Sequence, residues 1–118
     1  WLWPYLFPLY GFKPFGPATK KAAQNKSVEW TQVSLDEATV KAALAAGLPV
    51  MIGYKVPSAM NSWKVRITGD LPMPEAGDDY DGLHASAIVG YDDSSKKYLI
   101  RNSWGFWWGI FKLGHFTV

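Results

Sequence analysis

Two apolar segments near the C-terminus, joined by a short polar one, constrain the fold of this chain more than any other feature. Residues 84–91 (H-A-S-A-I-V-G-Y) and 98–103 (Y-L-I-R-N-S) flank the polar residues 92–97 (D-D-S-S-K-K). Such a pattern is typical of a β-hairpin. The sequence therefore predicts two antiparallel strands, with His84 and Asn102 at adjacent positions and close enough for side-chain contact.

A helix is predicted upstream of this hairpin, at about residues 35–46. Ser34 and Glu37 have the spacing of a capping box, in which Ser34 is the N-cap. Gly47 supplies a left-handed position after the helix, and Pro49 prevents its continuation. The helix is expected to pack closely on a sheet through one face of small side chains, namely Leu35, Ala38, Ala42 and Ala45.

The remaining segments are predicted as strands, loops and turns. Prolines make residues 1–17 an irregular extended strap. The other predictions are a helical turn at 20–26, strands at 27–33, 50–56 and 107–118, and a long loop at 57–83 that contains a short strand at 64–68. Together these elements predict an α+β fold in a single domain, residues 1–118, with an antiparallel sheet and one main helix.

Composition narrows the functional classes. A net charge of +2 gives no reason to expect a nucleic-acid partner. The absence of cysteine excludes disulfides and thiolate metal sites, and no cofactor or metal is predicted. The apolar residues 1–8 are too short for a membrane span, are interrupted by prolines and lack the basic start of a signal peptide. Because the chain starts at Trp1, it is expected to be a processed chain or a fragment, and its cellular location is left open.

Three residues of the predicted hairpin region form a chemical constellation. A histidine with a neighbouring asparagine suits a general base and its orienter, because the amide oxygen of Asn102 can accept from one imidazole N–H of His84. Trp104 follows two residues later and would shield this hydrogen bond from water. The nucleophile that such a pair serves is a cysteine thiolate, paired with the charged imidazole. This chain contains none.

These segments resemble the second half of papain-like cysteine proteases. The family pattern H-A-v-x-x-V-G-Y, followed by N-S-W-G-x-x-W-G, is matched by residues 84–91 and 102–109. Upstream, residues 3–5 (W-P-Y) resemble the family's Y-P-Y strap, and residues 47–50 (G-L-P-V) resemble its helix–strand junction. The resemblance covers nearly the whole chain. It implies the papain-like right-hand domain, a twisted antiparallel sheet or half-barrel with one main helix.

The resemblance also implies site residues. His84 becomes the catalytic base, Asn102 the orienting amide, Trp104 the shielding indole and Ala85 a wall of the pocket beside the nucleophile. The family's nucleophilic cysteine and oxyanion-hole glutamine belong to the first half and have no counterpart here. In this family the histidine lies roughly 130 residues or more after the cysteine. Only 83 residues precede His84, so the cysteine is expected on a segment before Trp1.

Two further departures from the family pattern are visible. After Gly109 the sequence stops earlier than the pattern does, so the closing strands are expected to be missing or replaced. The cysteine-free version with the sequence G-Y-D-D at residues 90–93 resembles bacterial or viral members more than lysosomal cathepsins.

Several functional hypotheses follow. The first is a cysteine-peptidase subunit or fragment that supplies His84 and Asn102 for peptide-bond hydrolysis and is inactive alone. Its partners would be a cysteine-bearing N-terminal half or chain and a peptide substrate, with no nucleic acid and no membrane span. The second is a non-catalytic papain-like structural or binding module in a larger assembly, such as a virion. A third is an aromatic carbohydrate-binding module. A serine nucleophile is rejected, because Ser86 and Ser103 lie on the same strands as His84 and Asn102.

Overall fold

The computed structural model describes residues 16–26 and 29–118, apart from residues 110 and 112. The chain divides into two compact units, residues 1–32 and residues 33–118. The described part of the first unit contains helix α1 (Gly16–Ala22), which begins earlier than the predicted helical turn. Residues 16 and 17 of the predicted strap are helical, and residues 1–15 lie outside the described part. The single domain predicted for residues 1–118 stays a prediction.

The second unit is built on a four-stranded antiparallel sheet in which the strand order follows the chain. The strands are β1 (Val50–Pro57), β2 (Tyr80–Asp92), β3 (Lys97–Arg101) and β4 (His115–Thr117). Helix α2 (Glu37–Ala45) precedes β1; a 3₁₀ turn (Ser58–Asn61) and helix α3 (Trp63–Thr68) lie between β1 and β2. The predicted α+β class, with an antiparallel sheet and few helices, is confirmed.

Helix α2 starts later than the capping-box pattern predicts. Its N-cap is Asp36, not Ser34, and the Asp36 carboxylate accepts from the Thr39 backbone N–H at 2.8 Å. Hydrogen bonds from the side chain and backbone of Thr39 lower the pKa of Asp36. A carboxylate at this position also interacts favourably with the positive end of the helix dipole. The C-terminal end is as predicted, since Gly47 adopts a left-handed conformation with φ 79°.

The buried face of α2 also differs from the prediction. Val40 is buried, and Ala43 and Leu44 pack against the core beside it. Burying the larger valine and leucine removes more apolar area from water than burying alanines. The predicted face is the exposed one: Leu35, Ala38, Ala42 and Ala45.

The segment predicted as a short strand, residues 64–68, is helical. In W-K-V-R-I-T of α3, every second residue is apolar, which imitates a strand pattern. The flanking residues decide otherwise: the Ser62 hydroxyl accepts from the Val65 N–H at 3.3 Å, and Gly69 ends the helix at φ 70°. Capping at both ends favours a helix over a strand. Val65 is then the buried residue of α3.

Two other predicted strands are wrong in extent. Residues 29–33 form no strand, and residues 27 and 28 lie outside the described part. Of the described residues in the range 107–118, only those of β4 form a strand, and residues 106–109 form turns. The backbone N–H of Gly109 donates to the Arg66 carbonyl oxygen at 2.7 Å, which ties these turns to α3.

The core of the second unit lies on one face of the sheet. Met60 and Phe116 are its most completely buried large side chains, at 0% and 1% exposure. The other buried apolar residues are Val40, Val50, Val56, Val65, Leu71, Ile88, Ile100 and Trp108. No helix in the described residues is long and apolar enough to span a membrane.

The predicted hairpin is present as β2 and β3. Its register pairs Ala87 with Arg101, and an irregularity between Ile88 and Gly90 leaves Val89 unpaired. At the turn, the Asp92 carboxylate accepts hydrogen bonds from the Ser94 and Ser95 hydroxyls and from the Ser94 backbone N–H. These bonds lower the pKa of Asp92 to about 2. A carboxylate that stays ionised in this way stabilises the turn that sets the register of the two strands.

Candidate active site

His84 lies on the core-facing side of β2. Its partner in the register with β1 is Tyr54, whose ring meets the imidazole edge-on with centroids 5.8 Å apart. His84, Ser86 and Ile88 alternate along the strand toward the core, and side chains between them point to the opposite face. Ala85 is therefore exposed on the other face from His84, where its register partner is Gly53. Its role as a pocket wall stays a prediction.

Asn102 follows directly after β3 and is buried, with 8% exposure. Continuing the register by one residue from Ala87 and Arg101 places Asn102 opposite Ser86, so His84 is its diagonal neighbour rather than its direct partner. Diagonal neighbours in a sheet are still within reach of long side chains. The imidazole Nε2 of His84 and the Oδ1 of Asn102 are 2.9 Å apart, so the predicted contact is present.

A second hydrogen bond fixes the direction of the first. The backbone N–H of Ser103 donates to the same Asn102 Oδ1 at 2.8 Å. A flipped amide would point its NH₂ group at this N–H, and two donors would face each other. The oxygen must therefore occupy this position, and His84 Nε2 must carry a hydrogen to donate to it. That tautomer leaves Nδ1 as the imidazole nitrogen available for proton exchange.

The other side of the Asn102 amide is unusual. Among the described residues no hydrogen-bond partner reaches its buried Nδ2. A buried donor without a partner costs stability, by about 1–3 kcal/mol. Among the described residues, the Asn102 side chain is thus hydrogen-bonded through its oxygen alone, to His84 and to the Ser103 backbone N–H.

A series of contacts between aromatic rings connects His84 with the core. The Trp104 indole lies beside the imidazole with centroids 5.1 Å apart and planes inclined by 36°. Trp108 meets Trp104 edge-on at 5.2 Å and meets Phe116 at 5.7 Å. Trp104 is itself 40% exposed. The indole lies where a shield for the imidazole would be needed, and its shielding role stays a prediction.

Tyr54 is a site residue that sequence analysis missed. Its hydroxyl and the Ser86 hydroxyl are 3.1 Å apart, and its ring contacts both His84 and Phe116. Burial raises the pKa of Tyr54, and the hydrogen bond with Ser86 opposes this rise. The predicted strand at 50–56 contains Tyr54, but no local signal showed that this strand pairs beside His84.

The acidic residues before His84 are engaged locally. The Asp81 carboxylate accepts from the Ser58 hydroxyl at 3.0 Å and from the Asn61 amide at 2.8 Å. The Asp78 carboxylate accepts from the Glu75 backbone N–H at 2.9 Å. These carboxylates therefore organise the segment between β1 and β2.

Comparison with known proteins assigns the family. The family described as papain family cysteine protease matches residues 14–118. The chain belongs to the papain family. The resemblance predicted from residues 84–91 and 102–109 is thereby confirmed, together with the class of thiol protease. A papain-family chain that carries these two segments and no cysteine is consistent with a C-terminal half.

Individual relatives support the papain-family assignment. Xylellain, a cysteine protease from Xylella fastidiosa, is 34% identical and superposes with a TM-score of 0.73 over 90% of this chain and 38% of its own. An uncharacterized peptidase C1-like protein of Acanthamoeba polyphaga mimivirus is 30% identical over 92% of this chain and 37% of its length. Gamete and mating-type specific protein A of Dictyostelium discoideum is 39% identical over 69% of this chain and 17% of its length. The chain thus spans well under half the length of each of these relatives.

The tautomer of His84 can be tested directly. In ¹⁵N-labelled protein at a pH where the imidazole is neutral, we expect Nε2 to be the protonated nitrogen and Nδ1 the unprotonated one. The physical reason is the shared acceptor Asn102 Oδ1, which only an Nε2–H can approach. Two-bond ¹H–¹⁵N correlation spectra measure this. In Asn102→Leu, which lacks the acceptor, the preference should be lost. A wild-type spectrum with Nδ1 protonated would contradict the assignment.

Proposed function

We propose that this chain is the half of a papain-family cysteine peptidase that contributes the catalytic histidine and its orienting asparagine. It hydrolyses peptide bonds only when it is paired with a half that bears the nucleophilic cysteine. The single observation that supports this best is the His84–Asn102 hydrogen bond of 2.9 Å beside the Trp104 indole. These three side chains lie together within the second unit, residues 33–118.

The chemistry assigned to His84 follows from its tautomer. With Nε2–H held by Asn102, Nδ1 exchanges the proton with the partner's thiol, which gives a thiolate–imidazolium pair. The thiolate attacks the peptide carbonyl carbon, and Nδ1 then donates its proton to the leaving amine nitrogen. A thioester results. In the second half of the reaction Nδ1 takes a proton from water as that water attacks the thioester, and the thiolate leaves as the acid product forms.

Neither serine beside the His84–Asn102 pair is suited to replace a thiolate. The sequence contains no cysteine. The Ser86 hydroxyl is buried, with 4% exposure, and is engaged by Tyr54. Ser103 follows Asn102 directly, and its N–H is engaged by the Asn102 oxygen. The chain alone is therefore expected to have no peptidase activity.

The experiment uses the protein isolated from its natural source, together with the segment or chain that carries the first half. An epoxysuccinyl inhibitor, which alkylates activated thiols, is added, and the labelled peptides are identified by mass spectrometry. We expect one labelled cysteine outside this chain and loss of peptide hydrolysis in proportion to labelling. The matched control is heat-denatured protein, which should not be labelled. If the native protein neither labels nor hydrolyses peptides, the proposal fails and the chain is a non-catalytic module.

A further inference from the structure

An open cleft of about 380 Å³ lies next to Trp104. Its walls come from two segments, the one between β1 and β2 and the one that follows β3. The lining residues are Asn61, Arg66, Trp104, Trp107 and Trp108. The hydrogen bond from the Gly109 N–H to the Arg66 carbonyl oxygen holds the two segments together. The cleft is therefore built by the fold of one unit.

The described residues that line this cleft include one charged side chain. Among them only Arg66 is ionised, and it is exposed. Within the described part of the second unit, no ion pair between Arg66 and a carboxylate is found. The Asn61 amide nitrogen already donates to Asp81. The guanidinium is thus the charged donor group among these lining residues.

The three tryptophans give this cation an aromatic surrounding. Trp108 is buried, with 7% exposure, and forms the inner wall, whereas Trp107 is 77% exposed and Trp104 is 40% exposed. An anion that enters the cleft exchanges part of its surrounding water for these indoles, which strengthens its attraction to the guanidinium. A guanidinium binds a carboxylate through two parallel hydrogen bonds, and this geometry is specific for a planar anion. A carboxylate on a short aliphatic stem matches both features.

The position of the cleft connects it with the candidate active site. Trp104 lines the cleft and also lies 5.1 Å from the His84 imidazole, centroid to centroid. A group bound in the cleft is therefore separated from the imidazole by a single indole. A separation of this kind corresponds to about two or three residues of an extended peptide, at about 3.3 Å per residue.

We propose that this cleft is a specificity site that binds a carboxylate of the substrate peptide through Arg66. The proposal rests on the proposed function and adds a substrate class, peptides with an acidic group close to the scissile bond. The carboxylate can come from an Asp or Glu side chain or from the C-terminus of the peptide. Both sources present the same planar anion to the guanidinium, and the experiment separates them.

The test compares matched peptides with the complete peptidase. Glu and Gln are placed in turn at each position flanking the scissile bond, and each peptide is made with a free and with an amidated C-terminus. If a side chain is bound, we expect kcat/KM to be about tenfold or more higher for the Glu peptide than for the Gln peptide at one position. If the C-terminus is bound, the free acid should exceed the amide by a similar factor. In both cases the difference should come mainly from a lower KM. Arg66→Gln should remove this preference, so that the Glu and free-acid peptides are hydrolysed no faster than the Gln, amidated peptide. Arg66→Glu should reverse it, so that the Gln peptide is hydrolysed faster than the Glu peptide.

Lys64→Gln is the matched control, because Lys64 is an exposed cation of the same helix that does not line the cleft. It should keep the acidic preference. The inference is overturned if wild type shows no such preference, or if Arg66→Gln and Lys64→Gln alter it equally. Those results would leave the proposed function intact, since thiol labelling and hydrolysis would be unaffected.

If the protein proves non-catalytic, binding of the same peptides measured by tryptophan fluorescence decides the inference. Equal affinity of wild type and Arg66→Gln for the acidic peptides would then overturn it.

Discussion

Replacing His84 by alanine in the assembled peptidase is expected to lower kcat by a factor of about 10³–10⁴. The imidazole has two tasks in the proposed mechanism. As the imidazolium it stabilises the thiolate, and through Nδ1 it delivers the proton to the leaving amine. Alanine removes both, while the Asn102 Oδ1 loses the His84 donor and keeps the hydrogen bond from the Ser103 N–H. Steady-state hydrolysis, normalised to the concentration of labelled cysteine, measures the effect.

A second readout separates loss of the base from loss of the fold. In the wild type, the thiol should react with an alkylating agent at a pH well below the ordinary thiol pKa of about 8.5, because the imidazolium favours the thiolate. In His84→Ala the reaction should need the ordinary thiol pH range. The control is His115→Gln, which replaces the second histidine of the sequence, on β4. It should keep the wild-type pH dependence of thiol alkylation. Equal kcat in wild type and His84→Ala would refute a catalytic role for His84.

The substitution Gly109→Ala is expected to destabilise the fold by about 3 kcal/mol or more and to lower Tm by roughly 10 °C. Gly109 has φ 59°, and an added Cβ would lie 2.4 Å from the backbone carbonyl oxygen of His115. The backbone of His115 cannot move aside as a flexible side chain can. In addition, the Gly109 N–H donates a hydrogen bond to the Arg66 carbonyl oxygen. The turn would have to shift away from β4 and α3 together.

Gly47→Ala is the matched control for this prediction. Gly47 also has a left-handed conformation, with φ 79°, but nothing lies within 4 Å of an added Cβ. Gly47→Ala should therefore lower the free energy of unfolding only by the cost of holding alanine in a left-handed conformation, about 1–2 kcal/mol. Thermal unfolding of the three proteins side by side gives the comparison. If both variants lose the same stability, the close approach of Gly109 to β4 has no energetic consequence.

The sequence is informative where the relevant contacts are local. His84 and Asn102 are separated by one hairpin, so the apolar runs and the polar turn between them were enough to predict their contact. The start of α2 was misplaced by two residues, because both Ser34 and Asp36 can cap a helix and the sequence does not show which side chain reaches an N–H. In α3, alternating apolar residues outweighed the weaker capping signals in the prediction.

What could not be predicted depends on contacts between distant segments. Tyr54 reaches His84 only because β1 pairs with β2, and no spacing in the sequence specifies that register. The cleft around Arg66 requires α3 to lie against the turns after β3, which the Gly109–Arg66 hydrogen bond brings about. The choice of buried face in α2 likewise depends on which sheet surface it meets.

The unpartnered Nδ2 of Asn102 has a consequence for the evolution of this chain. A buried amide that satisfies only its oxygen is a poor choice for a fold selected for stability, and an apolar residue of similar size would remove the unpaired donor. Natural proteins keep such locally unfavourable residues mainly where function requires them. Asn102→Leu removes this unpaired donor but also the acceptor of the His84 Nε2–H and the Ser103 N–H, which belong to less buried residues, so the two effects oppose each other and the net change in stability should be small. A lineage that had abandoned the chemistry would be free to drift toward that exchange, whereas this chain still has the asparagine.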